Sequence, residues 1–220
     1  MKTLTKSQKM KQTFLFLILF LGISFTSYSQ EISLDDLLSD IEAEEEEPAY
    51  LPEKMLFTQR MLWGEKGLYR GIGLAPKVLT AETRERELKA RSTIFKIHQA
   101  TGLLAAAGMI TQAILGPKLY NGNFGIKNAH ERVALGTNIA YGATALLAFT
   151  SPPPMVNRKK FDNIKLHKLL SIVHLSGMVA TNVLANQVSQ GKVDKKWHRA
   201  AAITTFGAYA AAIASIKFEF

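Results

Sequence analysis

Apolar positions crowd into four stretches in the second half of the chain: 94–115, 129–149, 164–187 and 197–216. Each holds ~20 predominantly apolar residues, which at ~1.5 Å rise per residue cover a bilayer core of about 30 Å. Glycine and alanine abound in them, as expected where membrane helices pack closely. Gly116-Pro117 is placed to stop the first stretch, the triple proline 152–154 the second, and the polar run SQGKVDKK separates the last two. The connections are short, so neighbouring helices should run antiparallel. The pattern predicts an all-α chain whose residues 94–217 form an integral-membrane, four-helix up-down bundle.

The first half reads differently. Residues 1–29 carry a lysine-rich start and then FLFLILFLGISF at 14–25. An apolar run of about 12 residues is short for a span and suits a signal-peptide core. Ser27 and Ser29 are small residues suitably placed for cleavage before Gln30; an uncleaved anchor is the alternative. Residues 30–53 form an acidic leader, in which 31–47 hold nine of the chain's eighteen carboxylates and no basic residue. It reads as a solvated, partly helical arm, or as a docking arm for a basic partner. Residues 54–93 mix Met, Phe, Trp63 and Tyr69 with several glycines. They predict an interfacial amphipathic segment with both aromatic rings at headgroup level, then a helix capped by Thr80 that leads into the first span.

Composition narrows the chemistry. The net charge of +9 is spread along the ends of the apolar stretches, so it reads as membrane flanks and not as a nucleic-acid surface. Lys2, Lys6, Lys9 and Lys11 fall in the segment expected to be removed. The absence of cysteine excludes disulfides, cysteine-held iron–sulfur clusters, thiolate zinc sites and covalent haem attachment. Any metal must be held by His, Met, carboxylate or carbonyl groups.

All five histidines lie between 98 and 198. His98, His130, His167 and His198 each stand near the start of one apolar stretch. In an antiparallel bundle His98 and His167 then share one membrane face, and His130 and His198 the other. The residue four positions on is small each time (Gly102, Ala134, Ser171, Ala202), which leaves room for a flat group against the helix. Two opposed pairs of imidazoles are what two six-coordinate haems require. Zinc is the rival, but each pair offers only two ligands, and the one nearby carboxylate, Glu131, is expected to face the headgroups. His174 is additional. It lies ~10 Å deeper than His167 by helix rise, placed to bond a haem propionate or Ser176, or to replace His167 as a ligand.

These openings, HQATGLLAAAGM, HERVALGTN, HKLLSIVHLSG and HRAAAITTFGAYA, with histidines 32, 37 and 31 residues apart, resemble the core of the cytochrome b561 family. The likeness covers about 94–217. It implies two non-covalent b-type haems, one on His98 and His167 and one on His130 and His198, with electrons passing between them. It also implies an electron donor and acceptor, a quinol or a soluble redox partner, in a multi-pass inner-membrane protein whose N-terminal region is exported. No ascorbate-site pattern accompanies the histidines. Two readings of other classes stand beside it: a cofactor-free four-helix membrane scaffold using the acidic arm, and a transporter with a histidine relay.

Overall fold

The computed structural model describes residues 49–155 and 160–216. The expected signal peptide, most of the acidic leader and part of the basic loop after the triple proline lie outside the described residues. Among the described residues the chain is helical, without a strand. Two short helices come first, α1 (Phe57–Trp63) and α2 (Leu68–Gly71). Four long ones follow: α3 (Ala81–Tyr120), α4 (Lys127–Thr150), α5 (Asn163–Ser189) and α6 (Lys195–Ser215), with a single 3₁₀ turn, Phe124–Ile126, ahead of α4.

Three of these stretches, Ala81–Tyr120, Phe124–Thr150 and Asn163–Ser189, are long and apolar enough to cross a membrane. Helix α6 has the length of a span at 21 residues but is not among them. Large apolar side chains stay exposed along all four helices, among them Leu104, Leu135, Leu146, Ile172, Val179 and Ile203. That outward apolar surface suits lipid and not water.

Side-chain oxygens start three of the helices. Thr80 Oγ1 accepts from Thr83 N–H at 3.2 Å, and Thr83 Oγ1 returns the bond to Thr80 N–H at 2.8 Å. Asp162 accepts from Lys165 N–H, and Asp194 from Lys196 N–H; such caps satisfy backbone donors that no helical turn can reach. Gly116-Pro117 does not end α3 as expected. Proline removes one N–H, but the last turn still closes through Asn121 N–H on Pro117 O at 3.1 Å, and α3 runs on to Tyr120.

The helices associate as two hairpins. In the first, contacts climb α3 as they descend α4: His98 meets Thr144, Gly108 meets Thr137, and Gln112 meets His130. In the second, His167 meets Ala212, Gly177 meets Thr205, and Thr181 meets His198. Glycine is required at the two closest approaches. A Cβ on Gly108 would fall 2.2 Å from Thr137 Oγ1, and one on Gly177 would fall 2.3 Å from Thr205 Oγ1. The core between the hairpins is small and aromatic, with Ala105, Ala106, Met109, Ala140, Tyr141 and Tyr209 buried together. Tyr209 O–H donates to Gly102 O at 2.9 Å across the divide. Lys195 Nζ donates to Tyr120 O at 2.7 Å, a cation at a helix C-terminus, where the dipole favours it.

Residues 49–80 fold over the α3 N-terminus and the α4 C-terminus. Trp63 is buried, and its Nε1–H donates to Thr150 O at 2.8 Å; its ring meets Tyr69 edge-on at 5.2 Å. Trp63, expected at headgroup level, is packed against the protein there, its one donor satisfied by a carbonyl left open at a helix end. Beneath it, Glu87 pairs with Arg70 at 2.7 Å and with Arg84 at 2.6 Å, all three buried. The guanidiniums spend their other donors on carbonyls. Arg70 bonds Trp63, Gly64 and Pro76, and Arg84 bonds Tyr50, Pro153 and Pro154. Arg84 lies outside the apolar part of α3. Burial pulls it below its ordinary pKa, while the Glu87 hydrogen bond and charge oppose that pull.

Candidate functional site

Histidines from the two hairpins face each other at both ends of the helices. His98 on α3 and His167 on α5 have ring centroids 6.4 Å apart, with planes crossing at 76°. His130 on α4 and His198 on α6 repeat this at 6.4 Å and 79°. Each pair thus joins residues that neither share a hairpin nor lie near one another in sequence. Along α3 the levels of the two pairs are fourteen residues apart, His98 to Gln112, or roughly 20 Å of helix.

Helix backbone fixes three of the rings. Nδ1 of His98 lies 2.9 Å from Thr144 O, Nδ1 of His167 lies 2.8 Å from Ala212 O, and Nδ1 of His198 lies 3.0 Å from Thr181 O. A carbonyl oxygen only accepts, so each Nδ1 carries the proton and leaves the Nε2 lone pair available. Histidines that hold metals are oriented in this way, with the other ring nitrogen donating to a carbonyl or carboxylate.

The donor set can be tested against a metal. A metal–imidazole nitrogen bond of about 2 Å, with the ring centre lying behind that nitrogen, puts two trans imidazoles about 6 Å apart, centre to centre. Both pairs match the centre-to-centre spacing that a bis-imidazole iron would need. Among the described residues α3 and α5 do not pack backbone to backbone, nor do α4 and α6. The approach of each pair across that gap is therefore made by side chains. Among the described residues no three His, Cys, Asp or Glu side chains gather as a metal site. Glu131 is exposed and pairs with Lys127 at 3.7 Å, so neither pair gains the further ligand that a zinc centre requires.

His174 stands apart from both pairs. Its Nδ1 lies 2.7 Å from the Tyr141 hydroxyl, and its ring meets Tyr209 edge-on at 4.9 Å. Ser176, one of the partners the sequence offered, is exposed, and the bond that holds the ring is the one to Tyr141. His167, not His174, faces His98. A cleft of ≈ 420 Å³ opens beside this cluster between α4 and α5, and Asn138 and Asn182 bond each other across it at 2.7 and 3.1 Å.

The geometry also exposes a repeat that helix-by-helix reading missed. Gly108 follows His98 by ten residues, and Gly177 follows His167 by ten. Thr137 and Tyr141 follow His130 by seven and eleven; Thr205 and Tyr209 follow His198 by the same intervals. The carbonyls keep step, for Thr144 lies fourteen residues after His130 and Ala212 fourteen after His198. The two hairpins are copies of one pattern, H-x₉-G then H-x₆-T-x₃-Y, and aligning the halves of the sequence reveals it. No family model matches the chain, and no curated protein or solved structure is found similar to it.

Proposed function

We propose that the chain is a membrane electron-transfer protein of the cytochrome b561 type: an integral four-helix up-down bundle, with α6 as its fourth span, holding two non-covalent b-type haems. His98 and His167 would ligate one iron, and His130 and His198 the other. The observation that carries this reading is the matched 6.4 Å separation of two imidazole pairs at opposite ends of the same helices. When bound, such a group supplies reversible one-electron chemistry at iron.

The chain's own residues supply the rest. Thr144 O, Ala212 O and Thr181 O hold three imidazoles in the tautomer that ligates through Nε2. The apolar helix faces exclude water, which tunes the potential of a buried redox centre. The roughly 20 Å between levels separates one pair toward each membrane face, so electrons would cross the bilayer and not run along it. Export of the N-terminal region would put the His98 and His167 pair on the outer side of an inner membrane. The donor and acceptor, a quinol or a soluble redox protein, belong to the same proposal.

Full-length protein, purified in detergent after expression with ample haem supply, tests it. A reduced b-type spectrum with close to two haems per chain supports the reading. A colourless, folded preparation sinks it in favour of the cofactor-free scaffold.

A further inference from the structure

The fourth histidine of the set breaks the rule that the other three obey. Three Nδ1 atoms meet backbone carbonyls, and the carbonyl that holds His198 belongs to Thr181, fourteen residues after His167. The equivalent position in the first hairpin, fourteen after His98, is Gln112. There the contact differs. Gln112 Nε2 donates to His130 O at 2.7 Å, while His130 Nδ1 and Gln112 Oε1 are both buried and both without a hydrogen-bond partner. A buried polar atom left unpaired costs about 1–3 kcal/mol, and these two, not bonded to each other here, sit on residues already in contact and are complementary in kind. One is a ring nitrogen able to donate, and the other is an amide oxygen able only to accept.

We propose that Gln112 is the positioning residue for His130: its planar amide, already held by Nε2–H on the His130 carbonyl, closes with a small turn of amide and ring so that Oε1 also takes the His130 Nδ1–H. Only a side chain with donor and acceptor on one plane can do both. Flipping the amide would set oxygen against oxygen at the carbonyl and nitrogen against N–H at the ring. The two imidazole pairs thereby become unequal. His98, His167 and His198 are held by main chain that no substitution at the partner position removes, whereas His130 depends on a replaceable side chain. The consequence for a bound group rests on the cytochrome reading, but the tautomer of His130 does not.

The test uses the full-length chain with ¹⁵N-labelled histidine, purified in detergent in haem-free form, because iron on Nε2 would by itself keep the proton on Nδ1. Gln112→Leu removes both contacts, and Gln112→Met does so while preserving length should the leucine variant fail to fold. In either, the His130 ring should lose its single Nδ1–H tautomer while the other histidine signals stay in place. Gln112→Glu keeps an acceptor on the same plane and, in its protonated form, a donor as well, and should restore the tautomer. In haem-loaded protein the midpoint potential of one component alone should move, with haem affinity at that site falling about 10- to 100-fold, as for lost outer-shell partners elsewhere.

Retention of the Nδ1–H tautomer in both Gln112→Leu and Gln112→Met would assign the role to the backbone carbonyl of residue 112 and overturn the proposal. A common shift of all histidine signals would do the same, since it would mark Gln112 as merely structural. A chain that binds no haem but shows the selective tautomer change sinks only the cytochrome reading. A chain that takes up two haems but, when haem-free, keeps the His130 tautomer in both variants sinks only the role of Gln112.

Discussion

The Tyr141 hydroxyl and His174 Nδ1 lie 2.7 Å apart, on helices of different hairpins and at a level between the two imidazole pairs. Tyr209, the counterpart of Tyr141 in the other hairpin, bonds the backbone of Gly102 instead. His174 therefore marks where the twofold pattern of the chain is broken; its counterpart, seven residues after His98, is the fully buried Ala105.

From this contact we expect His174→Leu to keep both imidazole pairs and to destabilise the chain by about 1–3 kcal/mol, through the Tyr141 hydroxyl left unpaired in the core. Tyr141→Phe should do likewise from the other side. Because the residues share one bond, the double variant should cost less than the two single losses added. Thermal unfolding of detergent-solubilised protein reads the stability, and the haem spectrum reads the pairs. Loss of one haem in His174→Leu, with its retention in His167→Leu, would exchange the roles of the two residues.

The contrast between the pairs and this contact shows what periodicity conveys. Histidine order and antiparallel helices were enough to put His98 opposite His167, because each lies near the start of an apolar stretch and the two stretches run the same way. The partner of His174 was not legible. Helical spacing gives a residue's face, and Tyr141 lies 33 residues away on a helix whose rotation depends on the Gly108 and Thr137 approach. The buried cluster of Arg70, Arg84 and Glu87 escaped for another reason. Its carbonyl acceptors, on Tyr50, Trp63, Gly64 and the proline run, carry no side-chain signature, so TRERELKAR reads as an ordinary charged helix start. The burial of Trp63 was not legible either, since the carbonyl that holds it belongs to the far end of α4.

That cluster makes a second expectation definite. Arg84→Ala leaves Glu87 buried with one cation fewer and opens the carbonyls of Tyr50 and Pro153, so it should cost about 3–5 kcal/mol. Arg86→Ala, two residues on, breaks an exposed pair with Glu82 and should change stability by no more than about 0.5 kcal/mol. Limited proteolysis between 49 and 80 gives an independent reading, since the Arg84 change should free that segment from α4. Equal effects of the two substitutions would mean that the buried cluster contributes no more than a surface pair.

The third expectation concerns the imidazole pairs and tests their geometry apart from any likeness. Each proposed haem depends on two helices of different hairpins, so removing either histidine leaves a site with one ligand. His98→Leu and His167→Leu should each lose the same spectral component, and the double variant should be hardly worse than either. His130→Leu and His198→Leu should form the other such group. Combining one change from each group should abolish both components, because residues sharing a site couple while separate sites add. The carbonyl partners sharpen the prediction: the main chain that orients His98 lies on α4, the helix that carries His130. If hairpins were the functional units, His98 would therefore behave as the partner of His130. The 6.4 Å approaches run between hairpins instead. Coupling of His98 with His130 in redox-monitored titrations would thus overturn both the pairing and transmembrane electron transfer, since each hairpin would then carry its own site.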